Sequence, residues 1–182
     1  MRILSLFLLL VPATWGVEWK PINPSDLALK EPKVDKNADA EAISAYADRV
    51  SERLRTLPGV AEVAAASVNP FTPWRASINF GIEGSDRVTR ERPAMANYRA
   101  VAPGYFHTLG VPVIAGRDIA PSDGRTAVAV AVVSDTLART YFPGRTVLGS
   151  RLIMDDAEGW RTVEIVGVVG DVKHAGLDSD GT

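Results

Sequence analysis

The sequence predicts an α+β fold, with mixed sheets and a few short helices. Three observations carry this. A sustained helical period is confined to one stretch, Asp39–Leu57. Several short strand patterns follow it, and two of them, Ala127–Val133 and Val163–Val169, are almost entirely apolar. Helix and strand patterns then alternate irregularly, without the regular βαβ order that builds a parallel sheet.

Taken in order, the chain opens with Met1-Arg2, an apolar run from Ile3 to Leu10, and small residues around Ala13 and Gly16. The run is well short of the ~20 residues that span a bilayer. Residues 1–16 therefore read as a secretory signal peptide, with cleavage after Ala13 or Gly16; an uncleaved anchor or a buried N-terminal strand are the other readings of the run. Residues 17–41 are polar and punctuated by Pro21, Pro24 and Pro32, which reads as a linker or arm.

In Asp39–Leu57, Ile43, Ala47, Val50, Leu54 and Leu57 recur at alternating steps of four and three, the stripe of an amphipathic helix. Pro58-Gly59 stops it. Val60–Ser67 is expected to be the first strand. Asn69–Arg75, with two prolines and two aromatics, reads as a loop. In Ala76–Glu83, Ile78, Phe80 and Ile82 alternate with Ser77, Asn79 and Gly81, the pattern of a half-buried strand. A charged turn region spans Gly84–Pro93, and Ala94–Ala102 is the next strand.

Tyr98–Asp118 is the densest run of position-specific residues. Pro103-Gly104 fits a turn. Tyr105–Leu109 forms one or two helical turns whose apolar face is Tyr105, Phe106 and Leu109, and Gly110 suits the stop. Val111–Ile114 reads as a short strand with Pro112 at its start or edge, and Gly116-Arg117-Asp118 as a turn. Ala127–Val133 is expected to be an interior strand covered on both faces. Ser134 and Asp135 are natural N-caps for a helix over Thr136–Tyr141, ended by Pro143-Gly144. Arg151–Met154 is a strand, Asp155–Gly159 a hairpin turn, and Arg161–Val169 a strong strand whose Val163–Val169 part is expected to be interior.

Composition narrows function. With 182 residues, 46% hydrophobic and 23% charged, the chain suits one ordinary domain or two small lobes. A net charge of -2 without a charge run argues against a nucleic-acid surface. The absence of Cys excludes disulfides, thiolate metal sites and a thiol nucleophile. No Walker A loop and no G-x-S-x-G elbow occur. Gly167-Val-Val-Gly170 lacks the spacing of a dinucleotide loop. His107 and His174 are far apart and form no H-x-x-x-H pair. Asp155 and Asp156 beside Glu158-Gly159 read as a solvated turn, and Asp123, Asp135 and Asp171 have turn or cap roles open to them. No catalytic, cofactor-binding or metal-ligating set is therefore expected.

Four segments in order, LRTLPGVAEVAAAS (Leu54–Ser67), YRAVAPGYFHTLGVPVIAGRDI (Tyr98–Ile119), AVVSDTLARTYFPGRTVLGSRL (Ala131–Leu152) and EIVGVVGDVKHAGLD (Glu164–Asp178), resemble the MacB-type periplasmic core domain of ABC-transporter permeases with FtsX-like membrane segments. The resemblance runs from about Ala42 to Asp178. It implies a porter-like lobe with a second, smaller lobe, a periplasmic location, and a non-catalytic role. That role is coupling movement driven by a separate ATPase subunit or domain to export or to an envelope partner. The implied partners are membrane permease segments, the ATPase and an envelope protein, with no nucleic acid and no cofactor. The family's membrane helices have no counterpart on either side; the signal peptide and arm stand before the domain, and residues 179–182 read as a truncated tail. Two other readings stay open: a secreted hydrolase using scattered carboxylates, and a free-standing binding module that uses the Asn69–Arg75 loop.

Overall fold

The computed structural model describes residues 7–12, 40–67, 76–124, 127–156 and 159–172. Their elements are β1 (Phe7–Pro12), α1 (Ala40–Arg55), β2 (Val60–Ala66), β3 (Ala76–Ile82), β4 (Ala94–Tyr98), α2 (Tyr105–Thr108), β5 (Val113–Gly116), β6 (Val130–Ser134), α3 (Asp135–Tyr141), β7 (Arg151–Asp156) and β8 (Gly159–Val169). This is the α+β class expected. Among the described residues no helix is long and apolar enough to cross a membrane.

A six-stranded mixed sheet is ordered β4-β3-β7-β8-β5, with β6 joined to β8. β8 is its hub. Its first half pairs antiparallel with β7, from Asp156↔Gly159 to Arg151↔Glu164. Its second half pairs parallel with β6 and antiparallel with β5. The second half of β8 is largely apolar and lies in the core: Val163, Ile165, Val168 and Val169 are buried, Ile165 completely. The alternation read in β3 holds, since Ile78, Phe80 and Ile82 are buried while Ser77 and Asn79 are exposed. Gly81 departs from it: it is buried, and a Cβ there would lie 3.0 Å from the Thr89 carbonyl carbon. The charged turn folds back at that point, held by Ser85 and Thr89 hydroxyls that accept backbone N–H bonds.

The main core joins β3, β7 and β8 to Val133, Ala138 and Phe142, with Tyr141 set edge-on to Phe80 at 5.2 Å between ring centroids. A second sheet pairs β1 with β2, antiparallel. β2 is thus the second strand of the chain, because Phe7–Pro12, within the run read as a signal peptide, is a strand ahead of it. The helical stripe packs as its period requires: Val50 and Leu54 bury against Val63, with Leu57 beside them.

Four expectations are corrected. Ala127–Val133 is not an interior strand. β6 starts at Val130 and pairs only with β8 among the described residues; Val128 is 73% exposed and Val133 alone is buried. Ala94–Ala102 is shorter, ending at Tyr98, with Val101 making one isolated bridge to Ala66. The strand placed at Val111–Ile114 is shifted to Val113–Gly116, because Pro112 has no N–H for the ladder. Asp155 is not in a turn but within β7, opposite Trp160 and Asn79. The Asn69–Arg75 loop and His174 lie outside the described residues.

Candidate interaction surface

The dense run Tyr98–Asp118 is built largely from locked turns. Gly104 has φ 82°, a left-handed conformation that favours glycine. It starts α2, whose Thr108 hydroxyl donates to the Gly104 carbonyl at 2.9 Å. Tyr105 and Phe106 bury against Ala64, Ala66 and Val169, so this one-turn helix ties β2 to the end of β8. Burial raises the Tyr105 phenol above its ordinary pKa, opposed by Arg99, whose Nη1 donates to the phenolic oxygen at 3.2 Å. His107 points outward on α2, 77% exposed, with Nε2 3.6 Å from Glu62 Oε1.

Beyond α2 the chain enters β5, the last strand in the sheet order. Val113 faces Val169 and Ala115 faces Val168, so Ile114 is an extra residue in the ladder, a β-bulge. The bulge turns Ile114 out to 55% exposure, beside Val113 at 41%. Next to them lies an open groove of about 410 Å³, lined by Ile114, Ala115, Ala138, Phe142, Val147 and Val168. Asp135 and Arg139, ion-paired one helical turn apart on α3, line it as well. Leu148, 36% exposed, extends the apolar area. The groove thus has a largely apolar floor with the Asp135–Arg139 pair at its rim.

The ends of this surface are pinned by charge. Arg117 makes a bidentate pair with Asp123, Nη1–Oδ2 at 2.6 Å and Nη2–Oδ1 at 2.9 Å, and its backbone N–H donates to Val166 O. Asp123 also accepts from Ala120 N at 2.8 Å. These bonds, the guanidinium first, lower its carboxyl pKa to about 2. At the other end Ser134 Oγ caps α3 by accepting from Leu137 N, as expected, and Asp171 accepts from Thr136 N at 3.1 Å and from Thr136 Oγ1 at 2.7 Å. Asp123, Asp135 and Asp171 thus hold turn, rim and cap positions, and Asp155 sits in a ladder.

The structure does not gather the titratable residues weighed in the sequence. His107 lies on α2, Asp155 on β7, Asp123 in the loop after β5 and Asp171 after β8. Among the described residues no three His, Asp or Glu side chains stand close enough to share a metal ion. Ile114 went unread in the sequence. Its outward position comes from the bulge, which depends on pairing with β8 more than fifty residues away; Pro112 just before the strand was the only local hint of irregular pairing.

The fold is that of a small α+β domain. Residues 14–181 match the MacB-like periplasmic core domain family, and the chain belongs to that family. No curated protein sequence matches it. Among solved structures it is similar to the periplasmic region of MacB from Actinobacillus actinomycetemcomitans, at 19% identity and a TM-score of 0.51, over 70% of this chain and 51% of that one. It is also similar to the extracellular domain of the ABC-type transporter YknZ from Gram-positive bacteria, at 17% identity and a TM-score of 0.47, over 67% of this chain and 56% of that one. The chain spans about half the length of either.

Proposed function

We propose that this chain is a non-catalytic extracytoplasmic domain of an ABC-type permease system. It binds a partner and transmits movement that a separate ATPase drives. The observation that carries this reading is the family match over nearly the whole chain. The side chains that shape the domain agree with it. Gly104, Gly110, Gly116 and Gly144 have φ between 67° and 82°, and Tyr105 and Phe106 are core. Such residues fix backbone shape and do no chemistry. On this reading the exposed Val113–Ile114 bulge and its groove are the contact surface, and membrane permease segments or an envelope protein are what it meets. Residues 1–16 direct export and are then removed.

The test is co-purification of the chain with its cognate permease and ATPase from solubilised membranes, with ATP hydrolysis measured in the complex. Binding without any turnover by the isolated chain supports the reading. A turnover intrinsic to the isolated chain refutes it. Intact-mass measurement of exported protein tests the signal separately; a mature chain still starting at Met1 contradicts it.

A further inference from the structure

β2 has an unusual setting. On one face Val63 packs against Val50 and Leu54 of α1. On the other, Ala64 and Ala66 pack against Tyr105 and Phe106 of α2 and against Val169. One edge bonds the Val101 segment: Ser67 N donates to Ala100 O at 2.8 Å and Ala102 N to Ala65 O at 2.9 Å. Three sides of β2 are therefore fixed by the folded domain. The fourth side, its remaining backbone edge, is covered only by β1 among the described residues, from Phe7↔Ala66 to Val11↔Glu62, with the register breaking at Pro12.

β1 is also the segment whose sequence, FLLLVP, lies inside residues 1–16, the stretch of signal type. A strand held in a membrane, or removed by a processing enzyme, cannot also sit on β2. When it leaves, β2 stays in place between α1 and α2 and presents a row of unpaired N–H and C=O groups, which is a template for strand addition. We infer that β2 is a strand-acceptor edge. Phe7–Pro12 occupies it in cis, and once that segment is gone an extended apolar segment of a partner protein docks there antiparallel. The inference rests on the export reading only for what removes β1.

The experiment uses the full chain with a protease site introduced between residues 17 and 39. The folded protein is cut, then mixed with an excess of labelled peptide spanning residues 4–14, and followed by hydrogen exchange with mass spectrometry. The expected result is that the peptide replaces the cut fragment. Val60–Ala66 amides should exchange about tenfold or more faster when the fragment is washed away, and slow again with peptide. Val163–Val169 should stay protected throughout, and a Leu9→Pro peptide should fail to bind. Loss of protection at Val163–Val169 on fragment release would make β1 an integral strand and overturn the inference. So would a fragment that never exchanges, β2 amides that stay protected without any strand, or equal binding of the Leu9→Pro peptide. None of these outcomes depends on whether exported protein has lost its first residues, so the two readings fail separately.

Discussion

Gly116 and Gly167 meet backbone to backbone where β5 leaves β8. A Cβ on Gly116 would stand 3.1 Å from Gly167 Cα and 2.7 Å from Leu148 Cδ2 and would run into the Val166 carbonyl oxygen; one on Gly167 would run into the Arg117 carbonyl oxygen. This contact explains one end of the G-V-V-G segment without any nucleotide. Gly170, at the other end, lies against the Pro112 ring, 3.3 Å from where its own Cβ would be. The glycines let β5 lie close on β8. Gly167→Ala is expected to lower stability by about 1–3 kcal/mol through overpacking, read as a shifted urea midpoint with unchanged slope.

Gly104 offers a contrast. It has φ 82°, yet nothing stands within 4 Å of a Cβ built there. Gly104→Val should cost about 1–3 kcal/mol from backbone strain alone. Gly104→Asn, which tolerates the left-handed region, should recover much of that. Equal melting temperatures for the two variants would show that strain is not the cause.

Asp171 accepts two bonds from Thr136, thirty-five positions earlier, and so ties the end of β8 to the start of α3. Asp171→Ala should destabilise by about 0.5–2 kcal/mol, the usual value of an N-terminal cap. Thr136→Val should remove part of the same energy, and the double variant should cost less than the sum.

Asp123 sets an acid limit. Its pKa is lowered from 3.8 to about 2 in the fold. A depressed carboxylate adds stability that is full above its unfolded value and is lost as pH falls through the folded one. This part of the stability should therefore fade between about pH 4 and pH 2. Asp123→Asn should be less stable than the parent at pH 6, and the gap should close by pH 2. Urea midpoints across that range for both proteins check it.

Much of the fold was legible in the sequence for physical reasons. The α1 stripe, the β3 alternation and the Ser134 cap are local patterns, each set within a few residues. β6 was misread because Ala and Val runs suit any strand, and the run cannot say whether one edge or two will be paired; its first residues, Ala127 and Val128, lie in solvent. The β1–β2 pairing joins segments about fifty residues apart, and the same apolar run suits a signal and a strand equally. The surface was the least legible part. Ile114 becomes exposed through a register shift against β8, and Asp171 becomes a cap only once β8 has placed it beside α3.

On the proposed reading this domain binds and positions, using its β5 surface, and does no chemistry. The most direct measurement is co-purification of the cognate permease with wild-type, Ile114→Asp and His107→Ala proteins, each first shown folded by its thermal melt. The prediction is that Ile114→Asp keeps its melting temperature and loses the permease, while His107→Ala keeps both. Full capture of the permease by folded Ile114→Asp, or loss of a measurable turnover in folded His107→Ala, would contradict it.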